Sequence, residues 1–317
     1  MCKFIEALMD TYESFDEKDK YFKFGGKKID SIEDFNHYTE LLIKQYSRKD
    51  FVFRGVSGAK YKLYNSAQRQ WFEIADKEKY LDELEYDNFI VHLMTECKNW
   101  NFGTIPNLLR TYNIKENNSI AYLSFMRHFE IPTPLIDFSK NPNKALFFAT
   151  ESIPEIFIES ENEMDNYFSI YSTYQNNTAY EIFRSVFDKN RINRNYGEFD
   201  YNDLTKNSIA LISESDKEFC ILNNIRIANQ EGLFFYNNSP NFSIEEQYKT
   251  FAEMLLEKLG STKFQELLVH ETFSSCLNFH KKFANKIRTI LTKQGITRDF
   301  IYPEIGNLKE HIKKICT

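Results

Sequence analysis

The sequence predicts an α+β fold, a β-sheet core covered by helices. Three observations lead there. Amphipathic stretches follow residues suited to helix N-caps, short alternating or aromatic runs lie between Gly, Pro and Asn, and 42% apolar with 27% charged residues is an ordinary globular balance. The 317 residues suffice for one large core or two modest ones. With no internal repeat and no Pro/Ser-rich linker, we expect a single compact unit over 31–317 behind an N-terminal segment, 1–30.

The stretch SIEDFNHYTELLIKQY sets Ile32, Phe35, Tyr38, Leu41, Leu42 and Tyr46 at helical spacing behind Ser31, with Glu33 and Asp34 in the first turn. It predicts a capped amphipathic helix. RKDFVFRG predicts a turn into a short buried strand ended by Gly55, and EYDNFIVHLMTECKNW a covering helix with Ile90, Leu93, Met94, Cys97 and Trp100 on one face. NSIAYLSFMRHF predicts another helix, begun at Asn118 or Ser119. In IPTPLIDFSKNPNKALFFAT two prolines flank Thr133 and lead into an apolar strand ending at Asp137, after which Asn141 and Pro142 read as N-cap and first helical residue. Beyond it YFSIYSTY, SIALIS, GLFFY and ELLVHETF read as strands, with the charged helix SIEEQYKTFAEMLLEKLG between the last two. NFHKKFANKIRTILTKQG predicts a final helix that Gly295 closes. Residues 188–206, polar and rich in Asn and Arg, have the least ordered composition.

Charge and cysteine usage narrow the function classes. A net charge of -6 and a pI near 5.7 argue against coating nucleic acid through charge alone, which takes a strong basic surplus. Lacking an apolar run of bilayer length and starting with the acidic MCKFIEALMDTYESFDEKDK, the protein is expected in the cytoplasm and off the membrane. Cys2, Cys97, Cys220, Cys276 and Cys316 form an odd set without a C-x-x-C pair, so we expect reduced thiols and no metal. Most of the 30 Phe and 19 Tyr are expected to fill the core, a few to stack on a planar ligand.

Three stretches carry candidate chemistry. In FVFRGVSG, Arg54 ends an apolar strand and keeps its charge, so it meets either an internal carboxylate or a ligand anion. Gly55 beside it permits a close backbone approach, and Ser66 with Arg69 in YNSAQR adds phosphate-competent groups on what reads as a turn. In the second stretch Asp137, Phe138 and Ser139 occupy a strand-to-helix turn, with His128 at the end of the preceding helix; each residue has a capping or structural reading beside the functional one. In the third, NIRIANQEGLFFYN, the polar Arg226, Gln230 and Glu231 gather at a strand edge.

Together these stretches resemble the FRG domain. The resemblance rests on Phe53, Arg54 and Gly55; then His128, Pro132 and Thr133; Leu135, Ile136, Asp137, Phe138 and Ser139; Ala145, Leu146, Phe147, Phe148 and Ala149; and finally Arg226, Ile227, Gln230, Gly232 and Phe234. It runs over roughly 31–314. Arg127 stands where the family has glutamine, Glu130 where it has glycine and Phe138 where it has tryptophan. The resemblance implies a setting of bacterial conflict, as in toxin and antiphage loci, with an antitoxin or sensor partner.

A weaker likeness is to ADP-ribosyltransferases of the arginine-serine-glutamate type, in the order Arg54, then Asp137 to Ser139 before Ala145 and Phe148, then Gln230 and Glu231 before Leu233. That likeness implies a split, mostly antiparallel sheet and NAD as substrate without a metal. Arg54 would hold the pyrophosphate, Ser139 the ribose, and Phe138 or a nearby tyrosine the nicotinamide. Glu231 would stabilise the oxocarbenium-like transition state, a role the neutral amide of Gln230 fills poorly. The expected function is an effector that modifies nucleic acid or protein or hydrolyses NAD. The alternatives are a non-catalytic nucleotide or nucleic-acid binding module and a metal-independent nuclease using His128 and Asp137.

Overall fold

The computed structural model describes residues 11–48, 51–75, 82–111, 114, 118–174, 209–212, 225–259 and 275–303. Seven strands, β1 (Lys28–Ile29), β2 (Phe51–Val56), β3 (Leu135–Ser139), β4 (Tyr167–Tyr174), β5 (Ile209–Ile212), β6 (Gly232–Asn237) and β7 (Ser275–His280), make one sheet in the order β1-β7-β4-β2-β3-β6-β5. β1 runs parallel to β7 and every other pairing is antiparallel, so the fold is α+β with a mixed, mostly antiparallel sheet.

The middle of the sheet is its weak place. β2 is paired with β4 along its whole length from Phe51 to Val56, and β3 with β6 from Leu135 to Ser139, yet β2 meets β3 only at Phe53 and Ser139. The expected split is thus a seam held by one residue pair rather than a gap. Arg54 and Asp137 flank that seam.

Eleven helices are described: α1 (Phe15–Asp19), α2 (Ile32–Ser47), α3 (Ser66–Ile74), α4 (Glu83–Asn99), α5 (Thr104–Thr111), α6 (Ser119–His128), α7 (Pro142–Thr150), α8 (Ile225–Gln230), α9 (Ile244–Leu259), α10 (Ala284–Lys293) and α11 (Arg298–Ile301). The predicted caps are in place: Ser31 accepts from the Asp34 amide at 3.0 Å, Asn118 from Ala121 at 3.0 Å and Asn141 from Asn143 at 3.0 Å, with Pro142 opening α7. Gly295 follows α10 at φ 77°, and the Ile296 amide reaches back to the Leu291 carbonyl, the doubly bonded close expected of a C-terminal glycine.

Five expectations are corrected. β3 does not end at Asp137 but runs on through Phe138 to Ser139, because pairing with β6 continues to Gly232. YNSAQR is not a turn but the start of α3, where Asn65 and Gln68 cap each other reciprocally. Gly55 does not end β2, which runs to Val56 against β4. Trp100 lies beyond α4 and is 60% exposed, although Ile90, Met94 and Cys97 are buried as expected. The helix expected from NFHKKFANKIRTILTKQG begins at Ala284 rather than Asn278, because pairing with β4 draws Asn278, Phe279 and His280 into β7, and the short α11 follows it. ELLVHETF, residues 188–206, Cys2, Cys220 and Cys316 lie outside the described residues; Cys97 and Cys276 are buried free thiols.

Two helical groups cover one face of the sheet. α2, α7 and α10 bury Phe35, Ala145, Phe147 and Ile287 on Phe53, Phe168 and Phe279; α4, α5 and α6 bury Ile90, Leu109 and Met126 around Leu135, Phe234 and Tyr236. Fully burying an aromatic or aliphatic side chain of this size contributes about 1.5–3 kcal/mol before entropy is counted. Where the two groups part, over the seam, a cavity remains. The opposite face takes Tyr12, Phe15 and Phe22 of the N-terminal segment against Val52, Phe138, Tyr171 and Phe235. Within that layer Lys18 is fully buried and donates to the Ala59 carbonyl (2.7 Å), Ser169 Oγ (2.8 Å) and Asn278 Oδ1 (3.0 Å).

Candidate functional site

The cavity over the seam measures about 490 Å³, within the range of small-molecule sites. Its walls come from β2 (Phe53, Arg54, Gly55), α6 (Ser124, Arg127, His128), β3 (Asp137, Phe138, Ser139), α7 (Phe148), α8 (Arg226, Ile227, Gln230) and Tyr302. Segments far apart in the chain therefore meet at the strand junction. Of the candidates read from the sequence, Arg54, Gly55, His128, Asp137, Phe138, Ser139, Arg226 and Gln230 are brought together here.

Arg54 does work at the seam that backbone pairing leaves undone. Its Nη1 donates to the Asp137 carbonyl at 2.5 Å, while its Nε is buried without a hydrogen-bond partner. Burial lowers the guanidinium to about 10, against the pull of the nearby Asp137 charge, so it remains a cation at neutral pH. The Asp137 carboxylate does not neutralise Arg54. Arg127 holds it bidentately, Nε donating to Oδ1 at 3.2 Å and to Oδ2 at 3.0 Å, with Nη2 on Oδ2 as well. Burial pushes the Asp137 carboxyl up, but the Arg127 charge and hydrogen bonds, with Arg54 behind them, outweigh it and keep the group below the usual carboxylate range. With that pair internally balanced, Arg54 brings a further positive charge to the wall, where Arg226 and the carboxylate of Glu130 also stand among the described residues. The Arg226 guanidinium lies 5.7 Å from the centre of the Tyr302 ring.

Other candidates take different places. Glu231 is not in the cavity wall: its carboxylate accepts from Asn141 Nδ2 at 2.9 Å, and its charge raises the Tyr46 hydroxyl. Of the two residues left open at that position, Gln230 lines the cavity. The reason is local, since Glu231 closes α8 in the left-handed region, φ 49°, while its carbonyl accepts from the Lys140 amide at 2.9 Å. Ser139 is 2% exposed; its hydroxyl donates to the Gln230 carbonyl at 2.6 Å and accepts from the Asn141 amide at 3.0 Å, so it locks the strand-to-helix turn. Phe138 contributes to the wall, but its ring packs 4.6 Å from that of Phe235 in the core, leaving no face for a nicotinamide. Ser66 is not in the wall of this cavity: it accepts from the Thr133 amide at 3.0 Å and donates to the Thr133 carbonyl at 3.3 Å, latching α3 to the segment before β3. Gly55 serves packing as well as the site, because a Cβ there would fall 1.8 Å from the Ala145 carbonyl oxygen of α7. His128 ends α6 in the wall, with Phe129 edge-on at 4.8 Å.

Arg127, Phe148 and Tyr302 were missed as site residues. Arg127 sits three residues before Glu130, ahead of a strand whose next acidic residue is Asp137, and that juxtaposition was the available signal. Glu130 itself reveals why glycine suits its position. It is the C-prime residue of α6 at φ 60°, with its amide on the Arg127 carbonyl (3.2 Å) and the Ile131 amide on the Met126 carbonyl (3.0 Å). We expect Glu130→Gly to stabilise the fold by about 0.5–1 kcal/mol, the relief of a left-handed side chain less the added freedom of glycine when unfolded. Urea denaturation checks it, and a loss of stability would contradict it.

The site is therefore a cleft at the weak seam of an α+β sheet with the Arg54 guanidinium in its wall. The chain carries an FRG domain: the model of that family matches residues 49–155, about a third of its length, and this span contains Arg54, Arg127, His128 and Asp137. No curated protein and no solved structure matches the chain. Among the described residues no helix is long and apolar enough to cross a membrane, and no group of three or more His, Cys, Asp or Glu is arranged to hold a metal ion.

Proposed function

We propose that the cleft binds a nucleotide through its phosphate, with Arg54 as the anchor and NAD, which the ADP-ribosyltransferase resemblance implies, as the first ligand to test. The observation that carries this reading is the Arg54 guanidinium: a cation in the cavity wall that spends one Nη on a carbonyl, forms no ion pair with a carboxylate among the described residues and keeps a buried Nε without a partner. Phosphate answers that fork of donors with charge-assisted bonds, and Phe148 and Tyr302 offer aromatic surface in the same cavity. With Glu231 turned to Asn141, the carboxylate expected to assist glycosidic cleavage is missing from the cavity wall, which favours binding over turnover at that residue.

One observation supports a second reading, transfer of ADP-ribose or hydrolysis of NAD by a toxin or antiphage effector. Asp137 keeps an ionised carboxylate in the same cleft as Arg54. Calorimetry with AMP, ATP and NAD on the wild type and Arg54→Ala, with circular dichroism to confirm folding, tests the proposal. Saturable binding weakened about 100-fold by the substitution is expected, the size of a lost charge-assisted phosphate contact. Equal binding by a folded Arg54→Ala protein would overturn it. Mass spectrometry of the recovered ligand separates the two readings: intact NAD fits binding, free nicotinamide fits turnover.

A further inference from the structure

A second hollow of about 380 Å³ adjoins the first and shares three wall residues with it, Arg54, Gly55 and Phe148. Its remaining wall is the chain after β2, with Ser57 and Tyr61, and the exposed Arg69 on α3. Lys62 is also there but is committed, at 2.9 Å from Glu246 and 4.0 Å from Glu17. The Arg54 cation thus stands on the divide between two chambers, each of ligand size and each with aromatic side chains in its wall: Tyr302 in the first, Tyr61 in the second, Phe148 between them.

A mononucleotide held at Arg54 fills one chamber and leaves the other to water. We infer that the two hollows form one bipartite site for a dinucleotide, two nucleosides joined through an anionic phosphate linker that crosses at Arg54. This rests on the nucleotide reading above and deepens it. The linker carries the charge where the shared cation stands, and each flanking nucleoside meets an aromatic wall, a sequence-tolerant stacking contact. Arg69 lines the second chamber and not the first, so it meets only a ligand that reaches the second. A long polyanion fits less well, because Glu17 and Glu246 border the second hollow through Lys62 and the chain carries a net charge of -6.

Arg69 is exposed on its helix, and Arg69→Ala, with circular dichroism to confirm folding, makes the test. NAD and AMP are titrated into the wild type, Arg69→Ala and Arg54→Ala, and a short single-stranded oligonucleotide into the wild type. NAD should bind more tightly than AMP, Arg69→Ala should weaken NAD about tenfold with AMP changed less than about threefold, and Arg54→Ala should weaken both. If Arg69→Ala leaves NAD unchanged, or weakens AMP as much, while Arg54→Ala still abolishes binding, the bipartite site is wrong and the nucleotide cleft stands. If neither NAD nor AMP binds the wild type, both readings fall. Tighter binding of the oligonucleotide than of NAD would overturn the dinucleotide in favour of nucleic acid.

Discussion

Gly55→Ala is expected to cost about 3 kcal/mol or more, the upper end of what an overpacked interior pays. The new methyl would fall 1.8 Å from the Ala145 carbonyl oxygen and 2.9 Å from the Ala149 amide nitrogen, both fixed in the backbone of α7. Neither atom moves without the helix, and α7 holds Leu146 and Phe147 in the core and Phe148 in the wall of both hollows. Chemical denaturation should show the loss, and a variant within about 1 kcal/mol of the wild type would mean that α7 slides freely on β2. The glycine after Arg54 is thereby explained by helix on strand rather than by strand end.

Lys18→Ala should cost about 3–5 kcal/mol, the scale of a broken buried polar network plus a cavity. The ammonium is wholly enclosed, burial lowers its pKa, and its three acceptors, Ala59, Ser169 and Asn278, come from the loop after β2, from β4 and from β7. One side chain from the N-terminal segment thus ties three parts of the sheet layer together. Lys18→Met, which restores the stem but not the donors, should recover only the packing share of the loss. Full stability of Lys18→Ala in thermal and denaturant unfolding would show that the network contributes little.

What was legible in the sequence, and what was not, follows from the range of the forces involved. Ser31, Asn118, Asn141, Pro142 and Gly295 act on backbone groups a few residues away, so their helix ends could be read directly. Asn278, Phe279 and His280 were misread because their strand state comes from β4, more than a hundred residues distant, which the local pattern does not contain. The same holds in the site. Arg54 and Asp137, both candidates from the sequence, line one cleft, but their bond runs to a carbonyl while Arg127 takes the carboxylate, a choice made by the seam between β2 and β3. Glu231 and Gln230 are neighbours in sequence; only the left-handed turn at Glu231 separates their directions.

Arg54 as phosphate anchor is the central claim, and a crystal soaked with NAD tests it most directly. The account predicts a phosphate group within about 3 Å of the Arg54 guanidinium, at the divide between the two hollows. Dinucleotide density elsewhere on the molecule, with that guanidinium still bonded to the Asp137 carbonyl alone, would contradict it.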